Sequence, residues 1–260
     1  MGIMNGKRGV IFGVANERSI AWAIARACHR EGADLAFTYL GEALEKRVRP
    51  LAEQVESDLL FPCNVGSDAE IKEVFEQLGA RWGGVDFVVH AVAFANKEEL
   101  KGHYVQTSRE GFHLAMDISV YSLTAICREA APLMKAGGSV VTLSYLGAER
   151  VMPHYNVMGV AKSALEASTR YLAADLGPGG IRVNAISAGP IKTLAASGIG
   201  DFKSILNWNR DNAPMRRNVD ASEVGEAALF LLSDHGSGIT GEVLHVDVGY
   251  HIVGMKAVDD

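Results

Sequence analysis

Short apolar runs recur along this chain between longer segments with helical spacing, and that alternation limits the folds open to it. The first four runs are Val10-Ile11-Phe12, Leu35-Ala36-Phe37, Leu59-Leu60-Phe61 and Phe87-Val88-Val89. Three more follow, at Val140-Val141-Thr142-Leu143, Val183-Asn184-Ala185-Ile186 and Val243-Leu244-His245-Val246. Runs without polar alternation suit strands covered on both faces, and strands that alternate with helices are joined by right-handed crossovers. The prediction is an α/β fold: a Rossmann-type doubly wound seven-stranded parallel sheet, forming a single domain over residues 1–260. Helix starts are legible at Ser19 before Ile20-Ala21-Trp22-Ala23-Ile24-Ala25, and at Ser67, which can cap a helix running towards Arg81. The one irregular stretch, about 190–218, holds Pro190, Gly198, Gly200 and Pro214 and is expected to act as a lid over a substrate.

Composition removes several classes of function. A net charge of −6 with scattered basic residues predicts no nucleic-acid groove. Cys28, Cys63 and Cys127 are too few and too far apart for a disulfide scaffold or a C-x-x-C motif, which fits a reducing cytoplasm. Neither the N-terminal Met-Gly-Ile-Met-Asn-Gly-Lys nor any later apolar run suits a signal peptide or a membrane span, so a soluble protein without a membrane partner is expected. No metal site is predicted.

Gly13 directly follows the first run and Ser19-Ile20 opens the first helix, which is where a helix N-terminus meets a pyrophosphate in open α/β sheets. A lone glycine there fits nucleotide binding and an ordinary strand-to-helix turn alike. After the second run, Glu42 would repel a 2′-phosphate, while Lys46 and Arg47 should face outward, so NADH is favoured over NADPH. Small residues Ala91, Ala93 and Ala95 after the fourth run would let the backbone approach a cofactor. His90, which ends that run, reads as a packed, hydrogen-bonded residue without a catalytic role.

Beyond the fifth run, Tyr145 is followed by Tyr155 and Lys162, which lie seven residues apart and share a helical face if Tyr155 starts the helix. A lysine so placed can hold the nicotinamide ribose and lower the phenol's pKa by charge, which suits a tyrosine that hydrogen-bonds or protonates a carbonyl oxygen. In isolation such a pair is more often packing. The order of the phosphate-type loop, the pair and Gly189-Pro190-Ile191-Lys192-Thr193 favours chemistry.

The sequence resembles the bacterial enoyl-acyl-carrier-protein reductases, a divergent branch of the short-chain dehydrogenase/reductase superfamily, over nearly its whole length. The most specific stretches are 143–150, 155–159 and 187–199, with Asp117-Ile118-Ser119 and Gly241-Glu242-Val243 beside them. Ordinary members of the superfamily carry the tyrosine four residues before the lysine, where this chain has Met158; the enoyl reductase branch carries it seven before, at Tyr155. The resemblance implies reduction of the trans-2 double bond of an enoyl-acyl-carrier-protein thioester by NADH, the last step of the fatty-acid elongation cycle. It implies Tyr145, Tyr155 and Lys162 as catalytic residues, and cofactor contacts at Gly13, Ser19, Ile20, Leu40, Asn64, Val65, Val92, Lys162, Ile191, Lys192, Thr193, Leu194 and Ala195. Ala95, Tyr145, Tyr155, Ala195 and Ala196 would admit the acyl chain. It also implies a cytoplasmic homotetramer that receives enoyl-acyl carrier protein, with Lys203, Arg210, Arg216 and Arg217 available to an acidic carrier.

Three positions depart from the family. Asn64 stands where an aspartate is usual, Leu40 where a glutamine is frequent, and His90-Ala91-Val92 where the family reads His-Ser-Ile. Two other readings remain open at this stage: a 3-oxoacyl or other carbonyl reductase, against which Met158 speaks, and a non-catalytic NADH-binding regulator.

Overall fold

The computed structural model describes residues 2–198 and 200–255, apart from the side chains of residues 195 and 197. All seven expected strands form: β1 (Arg8–Phe12), β2 (Asp34–Tyr39), β3 (Leu60–Pro62), β4 (Phe87–His90), β5 (Gly138–Ser144), β6 (Ile181–Ala188) and β7 (Val243–Val246). They pair in parallel in the order β3-β2-β1-β4-β5-β6-β7. Alternate residues of the apolar runs point to opposite layers. Val10 and Phe12 enter one core cluster and Ile11 the other, and Val140 and Val141 divide in the same way. Phe12, Phe37 and Phe87 are fully buried, and each such side chain contributes on the order of 2–3 kcal/mol relative to an exposed one.

One layer contains α1 (Ile20–Arg30), α2 (Gly41–Gln54) and α8 (Ala221–Leu232). The other contains α3 (Asp68–Trp82), α4 (Arg109–Met116), α5 (Ser122–Ala130) and α6 (Asn156–Leu176). Ser67 caps α3 as expected, its side chain accepting from Glu70 N–H at 3.3 Å, and Gly83 ends the helix at φ 74°. Ser19 behaves differently. It occupies the N-cap position of α1 but makes no side-chain cap; its Oγ accepts from the N–H groups of Ala15 and Asn16 at 3.0 and 3.1 Å and braces the preceding loop. The irregular stretch contains a regular helix, α7 (Phe202–Asn212).

Between α4 and α5 the chain makes one π-helical turn, Asp117–Tyr121. Strand order reverses around β1, whose neighbours are β2 and β4, and open α/β sheets carry their ligand crevice at the carboxyl ends of such strands. Among the described residues, no helix is long and apolar enough to cross a membrane, and no group of acidic, histidine and cysteine side chains could hold a metal ion.

Candidate active site

The loops after β1 and β4 meet at the reversal point. Gly13 has φ 101°, and a Cβ built on it would stand 2.1 Å from the Ala91 carbonyl oxygen. Only glycine fits both the torsion and the approach. Beyond it, the N–H groups of Ile20 and Ala21 precede the first carbonyl the helix uses, that of Ser19, which accepts from Trp22 and Ala23. These amides and the Ser19-braced loop form a donor set suited to an anion. Val92 is half-buried against the core layer that contains α3, α4, α5 and α6. Leu40, 59% exposed, follows β2 as the N-cap residue of α2, and Glu42, Lys46 and Arg47 are exposed beyond it.

Asn64 follows β3, and its Oδ1 accepts from Gly66 N–H at 3.0 Å, so the amide oxygen of this expected cofactor contact is partly committed to a local turn. Val65 is half-buried beside it. After β6, Ile191 packs on the core, and its carbonyl accepts from Thr193 N–H at 2.9 Å. The Thr193 hydroxyl accepts from Ala196 N–H at 3.1 Å, which ties it to the short turn Ala195–Gly198. Ala196 is buried and Leu194 is exposed, while the side chain of Ala195 lies outside the described residues. Lys192 is exposed and lines a cleft of about 940 Å³ against α1, with Arg18, Trp22, Arg26 and Asp220. None of Tyr145, Tyr155 and Lys162 lines that cleft.

The tyrosines and the lysine gather at the carboxyl end of β5. Tyr155 is the N-cap residue of α6, and its ring meets Tyr145 edge-on at 5.0 Å and 72°. Two glycines permit this. A Cβ on Gly147 would lie 2.4 Å from the Tyr155 ring, and one on Gly159 would lie 2.8 Å from the Gly147 carbonyl oxygen. Both glycines lie within the stretches 143–150 and 155–159 that carry the family resemblance. Asn156 secures the helix start, its Nδ2 donating to the Glu99 carbonyl at 3.2 Å. Ala95 is half-buried in the opposite wall, where Ser119 of the π turn accepts from Phe94 N–H at 3.0 Å and donates to Phe94 O at 3.2 Å.

Lys162 is 6% exposed, and its Nζ donates to the Leu143 carbonyl at 2.6 Å. Burial pulls its ammonium down to about 8, against an opposing push from Glu166. The expected effect of this lysine on the phenol is absent: burial, then Tyr145, holds the Tyr155 phenol above its ordinary range. Tyr155 therefore stays protonated, and its hydroxyl keeps a hydrogen to donate. Met158, buried where a carbonyl reductase needs a phenol, turns its sulfur to the Ser119 hydroxyl at 3.9 Å.

His90 is fully buried, with Nδ1 on Thr142 Oγ1 and Nε2 on Ser122 Oγ, both at 2.8 Å. Because the Ser122 hydroxyl donates to Ile118 O at 2.7 Å, Nε2 must carry the proton and Nδ1 accepts from Thr142. Burial, reinforced by Lys162, drives the ring down to about 3, so it is a neutral structural link. Helix α7 crosses nearby, with His154 facing Asp201 at 3.4 Å and Trp208 Nε1 donating to the Tyr250 hydroxyl at 2.9 Å. Of the four basic residues expected to greet a carrier, Arg217 is taken by a bidentate pair with Glu223 at 2.6 and 2.7 Å, and Arg210 meets Asp211 at 2.8 Å. Arg217 thereby supports the capping box of α8.

The site thus offers two protonated phenols, a buried ammonium and an anion-binding helix start, without an activated nucleophile. Comparison with known proteins agrees with that chemistry. The family model described as Enoyl-(Acyl carrier protein) reductase matches residues 13–251. The chain is 64% identical over 258 residues to enoyl-[acyl-carrier-protein] reductase [NADH] 1 of Rhizobium meliloti, covering 99% of this chain and 95% of that protein. It is 56% identical to the corresponding NADH enzyme of Bacillus cereus, covering 98% and 100%. The crystal structure of the Anaplasma phagocytophilum reductase in complex with NAD superposes with a TM-score of 0.96 at 59% identity, over 99% of this chain and 98% of that one. By matched length, identity and fold, this chain belongs to the enoyl-acyl-carrier-protein reductase family.

Proposed function

We propose that the protein reduces the trans-2 double bond of enoyl-acyl-carrier-protein thioesters with NADH, completing each turn of fatty-acid elongation. The observation that carries this reading is the protonated Tyr155 held edge-on to Tyr145 at the sheet's carboxyl end, with buried Lys162 on the same helix. NADH, when bound, supplies the hydride. The free amides of Ile20 and Ala21 fit its pyrophosphate, Gly13 and Ser19 shape their loop, and Lys162 reaches the ribose hydroxyls. Leu40, Asn64 and Val65 border the adenosine, Val92 and Ile191 the nicotinamide, and Lys192, Thr193, Leu194 and Ala195 close over the phosphates. Glu42 disfavours a 2′-phosphate.

Tyr155 donates its phenolic hydrogen to the thioester oxygen, which becomes an enolate as the β-carbon is reduced; a preorganised donor there stabilises the developing charge. The α-carbon then takes a proton. Tyr145, Ala95, Ala195 and Ala196 flank the acyl chain, and 190–218, with α7 at its centre, serves as the lid. A carbonyl reductase would need its phenol at position 158, where Met158 offers a thioether. The enzyme works in the cytoplasm as a homotetramer, and the exposed Tyr171 on α6 and Phe230 on α8 are surfaces another copy would cover. Lys203 and Arg216 remain exposed for the carrier. Oxidation of NADH and of NADPH in the presence of crotonyl thioester tests the reading: a clear preference for NADH is expected, and absence of turnover with either would refute it.

A further inference from the structure

The segment after β7 grips the turn that carries Tyr145 on one side and the stretch around α7 on the other. Its shape is set by Asp247, which is buried. Oδ1 of that carboxylate accepts from Gly249 N–H at 3.0 Å and meets His251 Nδ1 at 2.9 Å, while Oδ2 accepts from His251 N–H at 2.8 Å. The bend so closed holds Val248 at φ 56°, a left-handed torsion that β-branched residues avoid. Towards the Tyr145 turn, Arg150 donates from Nη2 to His251 O at 2.6 Å and from Nη1 to Val253 O at 3.1 Å. Beside it Glu149 Oε1 meets His245 Nε2 at 2.7 Å, and the His245 ring stacks on His251 at 4.0 Å. Glu149 and Arg150 are tied back to Tyr145 within a single turn, since Ala148 N–H donates to Tyr145 O and the N–H groups of Glu149 and Arg150 share Leu146 O. Towards α7, the Tyr250 hydroxyl accepts from Trp208 Nε1 at 2.9 Å, and Met215 N–H donates to Val248 O at 3.4 Å. Pro214 lies over Gly249, where a Cβ would stand 3.0 Å from the proline ring. The start of α7 has its own contact with the loop before Tyr155, His154 to Asp201 at 3.4 Å.

We propose that Arg150 and Tyr250 are positioning residues that act through this one segment, so that the seat of α7 and the placement of Tyr145 are set together. The proposal rests on the enoyl reductase reading for what α7 covers. A guanidinium with two fixed acceptors sets an angle as well as a distance, which one bond would not. Its acceptors are main-chain oxygens that flank Ile252, and Tyr250 directly precedes the first of them. Tyr250 itself sits between Gly249 and His251, whose N–H groups both bond Asp247, so its backbone is fixed and its hydroxyl presents a set target to Trp208. Displacing Arg150 loosens that target, and releasing Trp208 loosens the Tyr145 turn. Because Tyr145 and α7 border the acyl chain, the benefit falls on substrate binding: walls already in place need not be ordered when the thioester arrives.

The test has one arm without substrate. Amide hydrogen exchange, followed by mass spectrometry over α7 and over 145–150, compares the wild-type enzyme with Arg150→Gln, Arg150→Lys and Tyr250→Phe. Arg150→Gln leaves the Trp208–Tyr250 bond in place, yet it is expected to speed exchange in α7 about threefold, the effect of about one lost hydrogen bond; Tyr250→Phe should do the same across 145–150. Arg150→Lys, which keeps a donor, should restore part of the protection. In the activity arm, Arg150→Gln and Tyr250→Phe should each raise the KM for crotonyl thioester about threefold, with kcat and NADH Kd changed less than about twofold. The double variant should raise KM no further than either single one. Exchange altered only around the substituted residue, an unchanged KM in both single variants, or KM effects that multiply in the double variant each overturns the proposal. If Arg150→Gln does not fold, Tyr250→Phe and Trp208→Phe decide: faster exchange at 145–150 supports the coupling, and unaltered exchange there overturns it. A wild-type enzyme inactive on crotonyl thioester would overturn the underlying reading, and the exchange arm would still decide the coupling.

Discussion

Lowering the pH from 7 to 5 should destabilise the fold by about 2 kcal/mol through His90 alone. The ring is fully buried and neutral, with its proton on Nε2 and both nitrogens occupied. Its folded-state pKa is about 3 and its ordinary value 6.5. Because the folded value is depressed, the stabilisation is complete above pH 6.5 and is lost as pH falls from there towards 3. At pH 5 the unfolded chain binds this proton and the folded chain does not, a gap of about 1.5 pH units at about 1.4 kcal/mol per unit. A folded-state value one unit higher would leave that figure almost unchanged. Urea unfolding at both pH values, on the wild type and on His90→Gln, isolates the contribution, since the other titrating groups are common to both. The variant should be less stable at pH 7, and its deficit should shrink by about 2 kcal/mol at pH 5. A deficit that stays constant, or an imidazole found protonated at pH 5 by NMR, would refute the neutral buried link.

Substituting Gly13 by alanine should cost about 2 kcal/mol in backbone strain, lower Tm and weaken NADH binding at least tenfold, because the loop must move off Ala91; melting and NADH titration check both. Tyr155→Phe should lower kcat by roughly two to three orders of magnitude at unchanged NADH affinity, as expected for a bond made mainly in the transition state. Lys162→Ala should raise the NADH Kd about tenfold or more, the loss of a charge-assisted hydrogen bond, as read by fluorescence titration.

The architecture was legible because the inner strands are buried on both faces and appear as nearly continuous apolar runs, whereas the edge strands β3 and β7 are only partly buried but still carry apolar residues. Ser67 and Ser19 both announced their helices, although the Ser19 hydroxyl serves the loop behind it rather than the helix ahead. The spacing of Tyr155 and Lys162 located the site but not its electrostatics. Burial, not the lysine's charge, sets the phenol, and burial depends on how α6 settles against the turn at Gly147. Ser144, Ser187 and His245 are far apart in the chain, and only the strand register brings them into one row. The π turn at Asp117–Tyr121 and its grip on Phe94 left no periodic trace. Arg217 reads as a free surface charge in the sequence, but Glu223, the third residue of α8, takes both of its terminal guanidinium nitrogens.

The central claim is that Tyr155, with Met158 at the position a carbonyl reductase reserves for tyrosine, commits this site to carbon–carbon double bonds. The most direct test offers the purified protein NADH with crotonyl thioester and, separately, with acetoacetyl thioester, and follows loss of NADH absorbance. Rapid oxidation with the enoyl substrate and near inertness with the oxoacyl substrate is the predicted result; the opposite preference would contradict it.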